Sequence, residues 1–146
     1  MVVGDEGGSV VGAINVGVVG FRWGCWKCSE TVQCVVGPYR YGDKLIPLGD
    51  PAMLIAREIL NQVGKSDIAE LLVPSRYANG TRGELASHCA SCGVVQGNYY
   101  VQQRALESLV ESDGNIEILD LLADGSYDEA AWSELVSDEY SSVIYF

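Results

Sequence analysis

The sequence predicts an α+β fold: a small antiparallel ribbon sheet held at two cysteine turns, a helical insertion between those turns, and acidic helices after them. Three observations predict it. Cys25-Trp26-Lys27-Cys28 and Cys89-Ala90-Ser91-Cys92 are two C-x-x-C hooks, each flanked by β-branched, aromatic or small residues. Between them, residues 50–63 carry apolar side chains at a helical period. From Ala105 to Phe146 there are eleven acidic residues and no Lys or Arg, whereas Met1 to Arg104 is balanced at nine of each.

The chain has 146 residues and no repeat, linker or low-complexity segment. It reads as a single domain, 1–146, with the ribbon over 11–36 plus 84–101, the helical insertion over 50–73 and the acidic helical extension over 102–146. Residues 1–10 read as a Gly-rich leader. Met1-Val2-Val3-Gly4-Asp5-Glu6 carries acid where a secretion signal carries base, and five cysteines do not pair evenly as disulfides. A cytoplasmic protein with reduced, metal-bound thiols is expected. The apolar stretch Ser9 to Phe21 is too short and Gly-rich to span a bilayer.

Residues 11–23 are rich in Val and aromatics and read as one or two strands entering the first hook, and Thr31 to Val36 leaves it as another, stopped by Gly37-Pro38. In the insertion, Asp50-Pro51 supplies an N-cap and a first-turn proline. Leu54, Ile55, Ile59, Leu60 and Val63 form the apolar face, and Gly64 ends the helix. A short helix over Asp67 to Leu72 is expected next, the pair covering one face of the sheet. Glu84 to His88 enters the second hook, and Val94 to Val101 leaves it as a strand, so that the two hairpins join in one sheet. Ala105, Leu106, Leu109 and Val110 then share a helical face. Asn115 to Ala123 fits strand or helix, and helix is preferred. Ser126-Tyr127-Asp128-Glu129 forms a capping box opening a helix that buries Ala131, Trp132, Leu135 and Val136. Val143 to Phe146 reads as a docked terminal strand.

Four thiolates delivered as two C-x-x-C hooks match the tetrahedral shell of a structural zinc ion, with Zn–S bonds of about 2.3 Å. Cys25, Cys28, Cys89 and Cys92 are therefore the expected ligands, Zn2+ the expected cofactor and His88, beside Cys89, a candidate hydrogen-bond partner of a ligating thiolate. Sixty residues separate Cys28 from Cys89, against roughly 15–20 in a compact site. A redox C-x-x-C is the rival reading of the first hook. It needs a long helix after the motif, where Thr31 to Val36 is strand-like. Cys34 shares a strand face with Val32 and Val36 and reads as a buried thiol. A closed thiolate shell leaves no open metal position, so the metal is structural. No His-x-Glu precedes a Pro-Cys-x-x-Cys, which excludes a cytosine-type deaminase, and Gly64-Lys65-Ser66 lacks the earlier glycine of a phosphate loop.

The Cys-Trp-Lys-Cys hook and the run His88-Cys89-x-x-Cys92-Gly93-x-x-Gln96-Gly97-Asn98-Tyr99-Tyr100 resemble a group of uncharacterised bacterial zinc-ribbon proteins. The resemblance covers the hooks and their flanking strands and implies a zinc ribbon, with no activity attached.

Function is expected to be that of a non-enzymatic binding module engaging a protein partner, through an acidic C-terminal face that includes Asp124, Asp128, Glu129, Asp138 and Glu139. A nucleic-acid-binding ribbon is the alternative: Trp23, Trp26, Tyr99 and Tyr100 could stack on bases beside Arg22, Lys27, Arg76 and Arg82, against the handicap of a net charge of −11. An acidic inhibitor that imitates nucleic acid is a third class. No membrane role is expected.

Overall fold

The computed structural model describes residues 12–137 and 142–146; the Gly-rich leader 1–10 and the acidic residues Asp138 and Glu139 lie outside the described residues. The fold is mixed α+β. Its elements are β1 (Ala13–Gly24), β2 (Thr31–Arg40), β3 (Leu45–Pro47), α1 (Asp50–Gln62), α2 (Ser66–Ala69), β4 (Leu72–Arg76), β5 (Arg82–Ser87), α3 (Asn98–Glu111), a 3-10 turn at Ile116–Ile118, β6 (Asp120–Asp128), α4 (Glu129–Ser137) and β7 (Val143–Tyr145). They form a three-stranded antiparallel sheet, β2-β1-β6, and two antiparallel pairs, β3-β7 and β4-β5.

β1 is the central strand, and its side chains feed a core on each face. Val16 and Val18, with Val35 of β2, pack against Met53, Ala56, Ile59 and Leu60 of α1, with Leu72 and Leu85 from β4 and β5 and Trp132 from α4. On the other face Val19, Cys34 and Val36 pack against Val101, Ala105 and Leu109 of α3 and Ile46 and Ile144 of β3 and β7. Both neighbours of β1 carry an extra residue at the same level. The β1–β2 register shifts between Val19 and Gly20, and the β1–β6 register shifts between Val18 and Val19. Two bulges thus face each other across one strand, where extra residues strengthen the local twist.

α1 covers the sheet as expected, but its buried face turns toward Ala52, Met53, Ile55, Ala56, Ile59 and Leu60, leaving Leu54 and Val63 exposed. Asp50 does not cap it. Gly49 holds the N-cap position with φ 97°, and the Asp50 carboxylate accepts the Leu85 N–H at 2.8 Å, tying the helix start to β5. The expected helix over Asp67 to Leu72 ends at Ala69, because Leu72 and Val73 pair with Ser87 and Ala86.

Four further expectations are corrected. The segment leaving the second hook is not a strand to Val101: a single bridge joins His88 to Val95, and α3 begins at Asn98. The hooks therefore sit on separate sheets and not in one ribbon sheet. Asp120–Asp128, partly assigned to helix, is β6, its alternation drawn into register with β1 over Ala13–Gly20. The 102–146 extension is thus not helical throughout. Its last helix starts at Glu129, and the capping group is the Asp128 carboxylate, which accepts the Ala131 N–H at 2.9 Å; Ser126 lies in β6. The terminal strand is docked, Val143–Tyr145 pairing with Leu45–Pro47.

One side chain couples the two sheet systems near the second hook. The buried Ser87 hydroxyl accepts the Val35 N–H at 2.9 Å, joining β5 to β2. Ser87→Ala leaves that buried donor without its acceptor and is expected to lower stability by about 1–3 kcal/mol, read as a fall in the urea midpoint without a change in slope.

Candidate metal centre

The two hooks are built alike. In the first, Ser29 N–H donates to the Cys25 carbonyl at 3.0 Å and Cys25 N–H to the Glu30 carbonyl at 2.7 Å. In the second, Gly93 N–H donates to the Cys89 carbonyl at 2.8 Å and Cys89 N–H to the Val94 carbonyl at 2.9 Å. The residue after each second cysteine is left-handed, Ser29 at φ 69° and Gly93 at φ 77°. That conformation suits glycine; Ser29 adopts it with a side chain and bears the added steric cost.

These turns aim all four sulfurs at one point. Cys25 Sγ lies 3.7 Å from Cys92 Sγ, Cys28 Sγ lies 3.6 Å from Cys89 Sγ, and the four lie within 4.8 Å of one another. A tetrahedron with metal–sulfur bonds of about 2.3 Å has edges of roughly 3.8 Å, so the observed cross-hook spacings suit a shared metal. They are far longer than a disulfide bond of about 2.05 Å, and the five cysteines are free thiols. The cluster can hold a metal ion.

The surroundings favour negative sulfur unequally. Burial pushes the Cys25 thiol up, but the amides of Cys28 and Lys27, the Gln96 side chain and Cys92 together outweigh it and bring Cys25 down to about 6. At Cys89 the amide of Cys92, against burial and helped by the amide of Ser91, lowers the thiol. At Cys28 the Glu30 amide favours the thiolate, yet burial and the facing sulfurs of Cys89, Cys92 and Cys25 outweigh it and push the thiol up to about 11. Four sulfurs this close cannot all be anionic without a cation among them.

Two contacts missed by sequence reasoning brace the centre. Gln96 is 1% exposed and donates from Nε2 to Cys25 Sγ at 3.4 Å. Such outer partners orient and tune ligands. The Trp26 indole N–H donates to the Val95 carbonyl at 2.9 Å, clasping the first hook to the second. Gln96 stands at a fixed spacing after the second hook in the run His88 to Tyr100, but its contact with Cys25 depends on the fold of both hooks.

His88 turns away from this set. Its Nδ1 lies 2.9 Å from the Ala86 carbonyl and 3.3 Å from that of Leu71, and the metal-competent cluster consists of the four cysteines. Cys34 is fully buried, and burial, with the Cys25 charge adding to it, pushes its thiol up to about 12. Trp23 is half-buried against Phe21, ring centroids 5.2 Å apart, while Trp26, Tyr99 and Tyr100 are exposed, the two tyrosines edge-to-face at 5.3 Å. Trp23, Trp26 and Tyr100 line one cleft of about 770 Å³ beside the hooks.

Among the described residues the candidate acidic side chains Asp124, Asp128 and Glu129 have separate partners. Asp128 caps α4, and Glu129 pairs with Arg40 at 3.1 Å. Asp124 faces Tyr41, whose hydroxyl is pushed up to about 12 by burial first and then by that carboxylate. Among the described residues no helix is long and apolar enough to cross a membrane. A scan against protein-family models, a search of curated proteins and a search of solved structures each found no match for the chain.

Proposed function

We propose that the four cysteines hold one structural zinc ion and that the protein is a non-enzymatic binding module that engages a protein partner on the surfaces this centre keeps in place. The observation that carries the reading is the mutual approach of Cys25, Cys28, Cys89 and Cys92 within 4.8 Å from two matched turns. A complete set of four thiolates gives the metal no position for water or substrate, which argues for a structural role. All-sulfur tetrahedra suit zinc or iron, and the resemblance of both hooks to zinc-ribbon proteins favours zinc.

Zinc and iron separate in one measurement. Metal analysis of the purified protein is expected to give about one zinc per chain, with no visible absorption, and cobalt substitution should produce the ligand-field bands of a tetrahedral thiolate site. Iron with visible charge-transfer bands, or no bound metal, overturns the zinc assignment. For the partner, the zinc-loaded chain should retain specific proteins in pull-downs that survive competition with nucleic acid. Retention of DNA or RNA alone would favour the nucleic-acid reading, which the exposed Trp26, Tyr99 and Tyr100 beside the hooks support. Asp128 and Glu129 are engaged locally, which leaves the acidic-face variant with less support than a surface next to the hooks.

A further inference from the structure

The four sulfurs of the centre are not equally reachable. Cys25 and Cys89, like Cys34 outside the cluster, are at most 3% exposed, and Cys28 is half-buried. Cys92 is exposed. Its surroundings are open as well. Ala90, Ser91 and Gly93 are exposed, and a Cβ built on Gly93 meets nothing within 4 Å. The second hook therefore turns one ligand toward solvent, while the first keeps Cys25 covered.

That covered sulfur faces the exposed one. Cys25 Sγ lies 3.7 Å from Cys92 Sγ across the hooks, whereas Cys89, the other sulfur of the second hook, faces Cys28 at 3.6 Å. Two donors converge on Cys25 Sγ and hold it in place: the Lys27 main-chain N–H at 3.4 Å and the buried Gln96 amide at 3.4 Å. An accessible thiolate with a second sulfur poised beside it is the arrangement in which a cysteine is oxidised and then resolved as a disulfide. Coordination deprotonates a thiol outright, so in a zinc centre both sulfurs are thiolates.

We propose that Cys92 is the site at which hydrogen peroxide oxidises this centre, and that Cys25 resolves the product as a Cys25–Cys92 disulfide joining the two hooks. This rests on the reading of the four cysteines as a structural zinc centre and names its point of oxidative control. The Cys92 thiolate attacks one peroxide oxygen; the S–O bond forms, the O–O bond breaks, and hydroxide leaves and takes up a proton as water. The Cys25 thiolate then attacks the Cys92 sulfur; the S–S bond forms, the S–O bond breaks, and a second hydroxide leaves as water. Each sulfur gives up one electron and the peroxide gains two, so no metal redox step is needed. Two of the four ligand sulfurs are lost and the metal is released. The new bond nevertheless keeps the hooks tied to each other, which a disulfide within either C-x-x-C does not.

The test adds hydrogen peroxide to the full zinc-loaded chain. Zinc release is followed with a chromogenic chelator, sulfenic acid with dimedone, and disulfides by mass spectrometry of non-reduced digests. Dimedone is expected on Cys92 first, two thiols should disappear for each zinc released, and the first cross-linked peptides should join Cys25 to Cys92. Dithiothreitol with added zinc should restore the starting protein. Cys92→His keeps a fourth ligand, since three cysteines and one histidine also close a structural zinc shell; it should lose the fast phase of release. Cys34→Ala should release zinc as the wild type does. First labelling of Cys25, Cys28 or Cys89, or a first disulfide within one hook, overturns the inference. The wild-type digest decides this even where Cys92→His fails to take up zinc. Purified protein without zinc removes the reading of the centre itself, whereas zinc and thiols both retained through the treatment overturn only its oxidative control.

Discussion

Cys89→Ser is expected to abolish stoichiometric metal binding and, with it, the cooperative unfolding transition. Cys89 is buried, is lowered toward its thiolate by the amides of its own hook, and faces Cys28 across the centre at 3.6 Å. A serine hydroxyl keeps the shape and loses the soft anionic ligand. Structural zinc sites supply on the order of 10–16 kcal/mol of apparent binding free energy, against total stabilities of about 5–15 kcal/mol. Loss of the proposed ion is therefore expected to reach the whole fold and not just the hook. Circular dichroism during chelator titration should show the same collapse in the wild type, reversed by zinc. Cys34→Ala, a change to the one cysteine outside the cluster, should retain the metal. Acid acts in the same direction. The Cys25 thiol is depressed from 9.0 to about 6, so its contribution is fully present above the ordinary thiol value and is lost as the pH falls toward and through about 6. Metal release should accompany the loss, because thiols do not replace thiolates as ligands.

Gly20→Ala should cost about 3 kcal/mol, the upper part of the range for forced overpacking. A Cβ built on Gly20 overlaps the main-chain carbonyl oxygen of Cys34 on one side and lies 2.8 Å from Leu122 Cδ1 on the other. Leucine can swing aside, but a backbone carbonyl within the β1–β2 ladder cannot move without breaking the register. Gly20 is also the point where the β1–β2 pairing shifts past its extra residue, so relief by local slippage would carry Phe21 and Trp23 with it. Urea denaturation reads the effect directly. Gly42→Ala makes the useful comparison: a Cβ there meets nothing within 4 Å, and its cost arises from a φ of 93° alone.

What was legible in the sequence was whatever is specified locally. A C-x-x-C turn carries its own hydrogen-bond pattern in five or six residues, so both hooks could be read, and α1 declared itself through its period. Elements decided by distant partners were harder. Ile116, Leu119 and Ala123 satisfy a helical spacing as well as a strand one, and pairing with β1 settles the segment from Asp120 onward as strand. Tyr99-Tyr100-Val101 has strand propensity, yet Val101, Ala105 and Leu109 have to face the sheet together, and the Asn98 side chain anchors the helix start by donating to the Leu85 carbonyl at 2.7 Å. Asp50 had the residue type of a cap and was used for a tertiary bond instead. The metal ligands lie in motifs; the Gln96–Cys25 contact and the cleft beside Trp26 arise only where β1, the second hook and α3 meet, and no window along the chain contains all three.

The sulfurs of Cys28 and Cys89 are 61 positions apart. Closure entropy grows with the logarithm of the span, so bringing the hooks together over this distance costs only about 1 kcal/mol more than over the 15–20 residues of a compact site. With both hooks on one ion the intervening chain becomes a ring of fixed circumference, and α1 and the β4-β5 pair condense inside it. Their search for the sheet would then be bounded from the outset, and a metal held at the proposed centre would set the size of the space in which the middle of the protein folds.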